Sequence, residues 1–431
     1  MDGVARTAAV NEAVSHHQRF GSRVACATLV LLASAACAHD KSPTGPVSSQ
    51  VFVVSTPLAE GIDTAALSRL VRDAIQEHSE ALIVLRNGKL VYENYFGMAD
   101  EPIYAMSASK SFVDLAYGFM LAERRLKSLD ERVATLLPTF AAVDPRKAAT
   151  TYRHLLSQSS GLGPWRGTKD IEAYAIASPA IFDPGTAWQY SNNGVDLLAA
   201  LAGRLLSEPL DQYLNEKLFQ PLGITDVTWE HDTHGVPLGA GEMKIRPIEM
   251  AMVGQAILDN GRWRGVQVIP PSWIDSSFAP STIFNPLYGL LWWRSHNGIL
   301  AVGAPNDLLA QWVGNGLPQA IATKLRPIAD TRYATSDALF ADIKALLSAD
   351  EYAVLQNLWT TGDHVPVYRI LESRPGSVFY ASGWLGQYLD VVPSKQLVAV
   401  RMRRARPSDR ASAVEVDYFP GFWFDVLRLV P

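Results

Sequence analysis

Ser107 and Lys110 lie three positions apart in Ser107-Ala108-Ser109-Lys110. On a helix, positions i and i+3 share a face, so the hydroxyl and the amine would sit side by side. That pairing suits attack on an ester or amide carbonyl. With Ser107 at a helix start, nearby backbone N–H groups lack intrahelical partners. Those donors, with the positive end of the helix dipole, would stabilise the oxyanion of a tetrahedral intermediate. Lys110 can take the Ser107 proton only if burial or a second cation lowers its own pKa. A serine and a lysine at this spacing arise about once by chance in a chain this long. The plain alternative is an ordinary helix start with a solvated lysine.

The surrounding residues add to the pair. Ser107-Ala108-Ser109-Lys110-Ser111-Phe112 resembles the nucleophile motif of the serine β-lactamase-like, penicillin-binding superfamily. Its members include penicillin-binding carboxypeptidases, class C β-lactamases, family VIII esterases and 6-aminohexanoate-dimer hydrolases. Arg153-His154-Leu155-Leu156-Ser157-Gln158-Ser159-Ser160-Gly161-Leu162 resembles the stretch before the second motif. Pro184-Gly185-Thr186-Ala187-Trp188-Gln189-Tyr190-Ser191-Asn192 resembles the Tyr-x-Asn element. The segment from Glu242 to Trp273 is similar as well, and the resemblance covers about residues 52–295 and 378–430. It implies that Tyr190 shuttles the proton between Ser107 and the leaving group, with Lys110 beside it. It also implies that Asn192 hydrogen-bonds the substrate amide or holds Lys110. The alternatives are a core tyrosine and a helix-capping asparagine.

The third motif departs from the family. Relatives with penicillin activity carry Lys/His-Thr-Gly on an edge strand. Counting back from Pro393 puts Val378-Phe379-Tyr380 in that slot and Ala381 at the second oxyanion N–H. The phrase from Val378 to Gln387 is most similar to the 6-aminohexanoate-dimer hydrolase branch, which makes Tyr380 and Trp384 candidate pocket residues. The cation that would grip a β-lactam carboxylate is missing, unless Arg401 or Lys324 reaches in from elsewhere. Poor turnover of β-lactams is expected.

The elements that must position these groups follow from periodicity. Asp63 can cap a helix with apolar positions Leu67, Leu70, Val71 and Ile75. Asn87-Gly88 between two apolar runs predicts a hairpin. A helix from about Ser107 should bury Phe112, Leu115, Phe119 and Met120. Tyr388–Val392 and Leu397–Val400 predict a second hairpin, and Pro420 can open a final helix through Phe422, Phe424, Leu427 and Val430. The fold class is therefore α+β: an antiparallel sheet flanked by N- and C-terminal helices, with an inserted, mostly helical subdomain. The sheet part spans about 51–125 and 285–431, and the helical part about 126–284. Residues 296–377 exceed the family's usual loop. There Ser336 can cap a helix with Leu339, Phe340, Ile343, Leu346 and Leu347, and Ser348-Ala349-Asp350-Glu351 has the form of a capping box. With Trp312 and Trp359, this insertion is either a surface elaboration or a lid.

Composition sets the outer limits. The chain has 431 residues, 48% of them hydrophobic and 19% charged, which reads as globular. A net charge of −5 with no basic run gives nucleic-acid binding no support. Both cysteines, Cys26 and Cys37, fall in the N-terminal segment, so the body has no disulfide, catalytic thiolate or zinc thiolate. His231 and His234 lack an evident third metal ligand, and no dinucleotide fingerprint or phosphate loop occurs. No cofactor is expected.

Arg19 and Arg23 precede a short apolar run, Val24 to Ala36, that reads as an export signal over 1–38. Either Ala36-Cys37-Ala38 is a signal-peptidase site, or Ser34-Ala35-Ala36-Cys37 is a lipobox that places a lipid anchor on Cys37. The Pro/Gly-rich stretch 39–50 then reads as a linker to a hydrolase domain at 51–431. The expected protein is an exported, periplasmic or membrane-anchored serine hydrolase acting on a small-molecule ester or amide. The competing readings are a catalytically altered relative that binds peptides or a partner, and a true β-lactamase.

Overall fold

Two hairpins and two long strands build one sheet, and that sheet carries the rest of the chain. The computed structural model describes residues 51–163, 166–329, 331–334, 336–361, 368–406, 409, 419 and 421–431. The leader, the linker and Pro420 lie outside the described residues, as do the side chains of Ser336 and Trp359.

The main-sheet strands are β1 (Val53–Val54), β2 (Ala81–Arg86), β3 (Lys89–Asn94), β4 (Trp293–Gly303), β5 (Arg369–Gly383), β6 (Gln387–Val392) and β7 (Leu397–Met402). Their order across the sheet is β1-β3-β2-β7-β6-β5-β4. Every pairing is antiparallel except β1 with β3, which is parallel. The β2–β3 turn has Asn87 at φ 53° and Gly88 at φ 74°. Two left-handed residues match the twist of a tight hairpin, which explains why Asn-Gly stands there.

Both faces of the sheet are covered. Helix α1 (Thr64–Gln76) and a C-terminal helix, Phe422–Leu427, pack one face together with Val84, Val91, Val378 and Leu397. Asp63 caps α1, accepting from the N–H groups of Ala65 and Ala66 at 2.8 and 3.0 Å. The buried stripe of α1 is Ala66, Leu67, Leu70 and Ala74, whereas Ile75, expected inside, is 56% exposed. Ala74 takes the inward position one residue earlier. The other face holds the larger core, built on helix α2 (Ser109–Ala122), helix α3 (Asn192–Leu206) and helix α4 (Pro247–Leu258). The intervening segment is not purely helical, since Ile103–Tyr104, Thr228–Trp229 and Met243–Ile245 form a small separate sheet.

The insertion begins and ends as strand. β4 and β5 pair over most of their length, from Arg369–Gly303 to Tyr380–Trp293. Between them, helices Asn306–Gly314, Gln319–Leu325, Ser336–Leu346 and Ala349–Thr361 surround a core of their own at Trp312, Leu325, Leu339, Ile343 and Leu355. The Ser348 and Glu351 capping box forms in both directions. A helical reading missed the strand ends because the apolar spacing of the helices dominates that stretch.

Candidate active site

Ser107 sits in a 3-10 turn, Met106–Ala108, that runs directly into α2. Met106 adopts φ 50°, a left-handed conformation costing about 1–3 kcal/mol for a residue with a side chain. This turn places Ser107 in the first helical turn, where its N–H has no intrahelical acceptor. Lys110 is 1% exposed. Its Nζ donates to Ser107 Oγ at 2.9 Å and to the carbonyl of Ala240 at 2.6 Å. The solvated-lysine alternative does not describe this side chain.

Tyr190 completes a three-residue group. Lys110 Nζ lies 4.8 Å from the centre of its ring. The short segment before α3 that carries Tyr190 is pinned on both sides by Gln158. The N–H of Gln189 donates to the Gln158 carbonyl at 2.9 Å, and the N–H of Ser191 donates to the Gln158 side chain. Ser191 then caps α3, accepting from Gly194 N–H at 2.9 Å and donating to Gly163 O at 2.8 Å. Asn192 is the first residue of α3, half-buried, and its side chain makes no hydrogen bond among the described residues. Behind Ser107, Lys110 is held by the Ala240 carbonyl.

β5 supplies the opposite wall. Val378 is fully buried against α1's face of the sheet. Phe379 stacks on Phe278 at 4.1 Å, with the Arg294 guanidinium 5.4 Å from its ring. Tyr380 stacks on Trp293, and Trp293 stacks on Tyr190. Trp188 and Tyr288 meet Trp293 edge-on. Counted back from Pro393, the slot for a cation reads as one buried aliphatic residue and two aromatics. β4 pairs with β5 no further than Tyr380, so Ala381 to Gly383 have a strand partner only on the β6 side. There β5 meets the nucleophile turn. A Cβ on Gly383 would fall 2.4 Å from Ala105 O and 3.0 Å from Ser107 N, so only glycine permits the approach. Ala381, 1% exposed, lies two residues earlier on this strand.

Trp384 begins the turn into β6 and is half-buried. That turn is held from behind by Arg401. Its guanidinium donates to the carbonyls of Leu385, Gly386 and Glu77 and to Ser79 Oγ. Lys324 pairs with Glu351 at 2.7 Å. Both cations considered as substitutes for the third-motif lysine are committed to these contacts.

Sequence patterns gave no hint of the layer behind the aromatic wall. Ser111 Oγ donates to Leu291 O at 2.8 Å, fixing the chain just before Trp292 and Trp293. Asp114, fully buried one turn further along α2, accepts from Trp292 Nε1, Trp273 Nε1 and Ser277 Oγ. Burial pushes its carboxyl well above the usual range, against the pull of those three donors. Trp292 belongs to the core and Trp293 to the wall. His231 and His234 each pair with an aspartate, Asp211 and Asp170. Among the described residues no group of three or more His, Cys, Asp or Glu could hold a metal ion. A cavity of about 630 Å³ lies behind α3, lined by Arg204, Glu208 and Val236 among others, and contains none of the Ser107 group. The chemistry follows the side-chain geometry and not the larger hollow.

A family model described as Beta-lactamase matches residues 67–415. Esterase EstB of Burkholderia gladioli is 27% identical over 275 residues, covering 53% of this chain and 66% of that protein. The chain thus spans just under two thirds of that relative. A solved structure from Bacillus anthracis, assigned as a 6-aminohexanoate-dimer hydrolase, superposes with a TM-score of 0.55 at 15% identity. That match covers 83% of this chain and 80% of the other. EstCE1, a hydrolase with promiscuous acyltransferase activity, gives a TM-score of 0.55 at 14% identity, over 86% of this chain and all of its own. At such identities the two structures speak for a shared fold.

Proposed function

The chain belongs to the beta-lactamase family, and we propose that it is a serine hydrolase that cleaves an ester or amide through an acyl-enzyme on Ser107. The observation that carries this is the buried Lys110 amine 2.9 Å from Ser107 Oγ. In the proposed reaction Ser107 Oγ attacks the carbonyl while Lys110, with Tyr190, accepts its proton. The same proton passes to the leaving alcohol or amine as the tetrahedral intermediate collapses. Water then repeats the attack on the acyl-enzyme and releases the acid. The N–H groups of Ser107 and Ala381 hold the oxyanion in this scheme. Tyr380, Trp384 and Trp293 wall the acyl side, and Asn192 is left as a polar group facing substrate.

The test is labelling with a serine-reactive fluorophosphonate followed by peptide mass spectrometry. The adduct is expected on the Ser107 peptide and absent in Ser107→Ala. An adduct elsewhere, or none, would return the chain to the binding-protein reading.

We further propose export, with a mature chain beginning at Cys37 or His39. The motivation is the charged and apolar pattern of residues 19–38. Among the described residues no helix is long and apolar enough to cross a membrane. Amino-terminal analysis of protein from its native host tests this, and an uncleaved chain would refute it.

A further inference from the structure

One buried ion pair lies directly behind the Lys110 amine. Asp196, on α3 and 1% exposed, accepts from Arg166 Nε at 2.8 Å and Arg166 Nη2 at 3.2 Å. The same carboxylate accepts from the N–H of Ala240 at 2.8 Å. Ala240 is the residue whose carbonyl takes Lys110 Nζ. Both polar groups of its backbone are thus engaged, one by the acid and one by the lysine. The chain is tight on one side of Ala240: a Cβ on Gly239 would meet Ala199 Cβ and Val195 O at 3.0 Å. Glu242 follows in a left-handed conformation, φ 63°, with its carboxylate 3.3 Å from Arg166 Nη1.

We propose that Asp196 and Arg166 are positioning residues that hold the Ala240 carbonyl against Lys110 and set the charge that the amine feels. This rests on the reading of Lys110 as the proton acceptor for Ser107. A base must be poised so that its neutral form is present when the substrate arrives. An unbalanced carboxylate beside it would favour the charged ammonium, and an unbalanced guanidinium would favour the neutral amine. The pair supplies the geometry of a carboxylate with most of its charge cancelled. Burial pushes the Asp196 carboxyl up, while Arg166, the Ala240 N–H and the positive charge of Lys110 pull it down.

Several other ionisable groups lie near Lys110. Ser107, in the turn before α2, accepts its hydrogen bond. Asp114, also on α2, is turned into the tryptophan layer. Tyr190 faces the amine from the segment before α3, with buried Tyr288 behind it. Glu242 faces Arg166 from the Ala240 segment. Lys244, on the small sheet, and Glu230, just after it, are engaged with Tyr104.

The experiment is the pH dependence of the fluorophosphonate labelling rate at Ser107, which needs no known substrate. Asp196→Asn keeps the shape, removes the negative charge and leaves Arg166 in place. Its acid limb should move to lower pH. Arg166→Gln removes the positive charge and leaves Asp196 and Glu242, so its limb should move to higher pH. Each shift should be about half a unit or more. The double variant should return towards the wild-type limb, and Arg166→Lys should stay near it. A structural role alone would lower the amount of folded protein or the rate without opposite displacements. Unmoved limbs, or shifts of the same sign, would overturn the proposal while Ser107 still labels. No labelling of the wild type would overturn both this and the hydrolase reading.

Discussion

At the scale of single residues, the proposed reaction requires the members of the Ser107 group to share one proton. Lys110 is almost fully enclosed, and its Nζ already serves Ser107 and Ala240. Tyr190 presents its ring to the same amine. Removing either partner should therefore disable one common step. Lys110→Ala and Tyr190→Phe should each lower kcat by about 100-fold or more, the scale for a positioned acid or base. Their double variant should lose much less than the product of the two, because residues that act as a unit are non-additive. Steady-state kinetics on a p-nitrophenyl ester measures this. Strict multiplication of the two losses would mean that the residues act in separate steps. That Ser107, Lys110 and Tyr190 come together was legible in the chain because motif spacing survives without a structure. The groups behind them were not. Gln158, Asp196 and Asp114 act through contacts between segments far apart in sequence, and nothing in their local spacing marks them. Gly383 was equally silent, since its need arises only where β5 meets the Ser107 turn.

Elements are held in register by a few polar clamps, and one of them makes a pH prediction. Glu60 accepts from Ser55 Oγ at 2.8 Å, Asn87 Nδ2 at 3.0 Å and Lys89 Nζ at 2.7 Å. It thereby ties the chain before α1 to the β2–β3 hairpin. The Lys89 contact above all, then Asn87 and Ser55, holds its carboxyl down at about 2 instead of 4.5. A folded-state pKa below the unfolded value contributes stability that is complete above the unfolded value. That contribution is lost as pH falls from 4.5 towards 2. The wild-type melting temperature should fall across this window, and Glu60→Gln should fall less. Thermal melts at about pH 5 and about pH 2.5 measure the difference. Asp144, held at about 2 chiefly by Arg146, leaves part of the slope in both proteins. Identical slopes would remove Glu60 from the account. The hairpin itself was readable from Asn87-Gly88, and the α1 cap from Asp63, because turn and cap chemistry are local. The strand character of β4 was not readable. Its pairing partner β5 lies across the whole insertion, and register over that distance is a tertiary fact.

Across the whole molecule, the strands that flank the insertion carry the aromatic residues next to Tyr190. The pairing of these two strands runs as far as Trp293 and Tyr380 and ends there, while β5 continues to Gly383. The pairing sets Trp293 beside Tyr380 and leaves the edge of Ala381 to Gly383 without a strand partner on that side. In the proposed reaction the acyl group lies along this edge, next to the ring of Trp293. A penicillin or cephalosporin brings a carboxylate next to its reactive amide. If the slot for the matching cation is the one counted back from Pro393, it holds Val378, buried, with Phe379 stacked on Phe278 and Tyr380 on Trp293. Arg401 and Lys324 are occupied in the turn after Trp384 and on Glu351, and Arg294, beside the Phe379 ring, donates to the carbonyl of Phe278. A charged hydrogen bond is worth about 1.5–3 kcal/mol, so its loss should reduce productive binding roughly tenfold to a hundredfold. An uncharged acyl chain loses nothing by the same change and gains the apolar wall. Short-chain esters or linear amides should therefore be cleaved well and β-lactams poorly. The measurement is kcat/KM for nitrocefin and for a short-chain p-nitrophenyl ester on one preparation. The ester should lead by at least about an order of magnitude. Trp293→Ala should raise KM for the longer acyl chains more than for acetyl, since the wall is extended by that ring. Nitrocefin turnover approaching the ester rate would show that the carboxylate finds a partner despite this slot, and the substrate assignment would then have to move to the β-lactams.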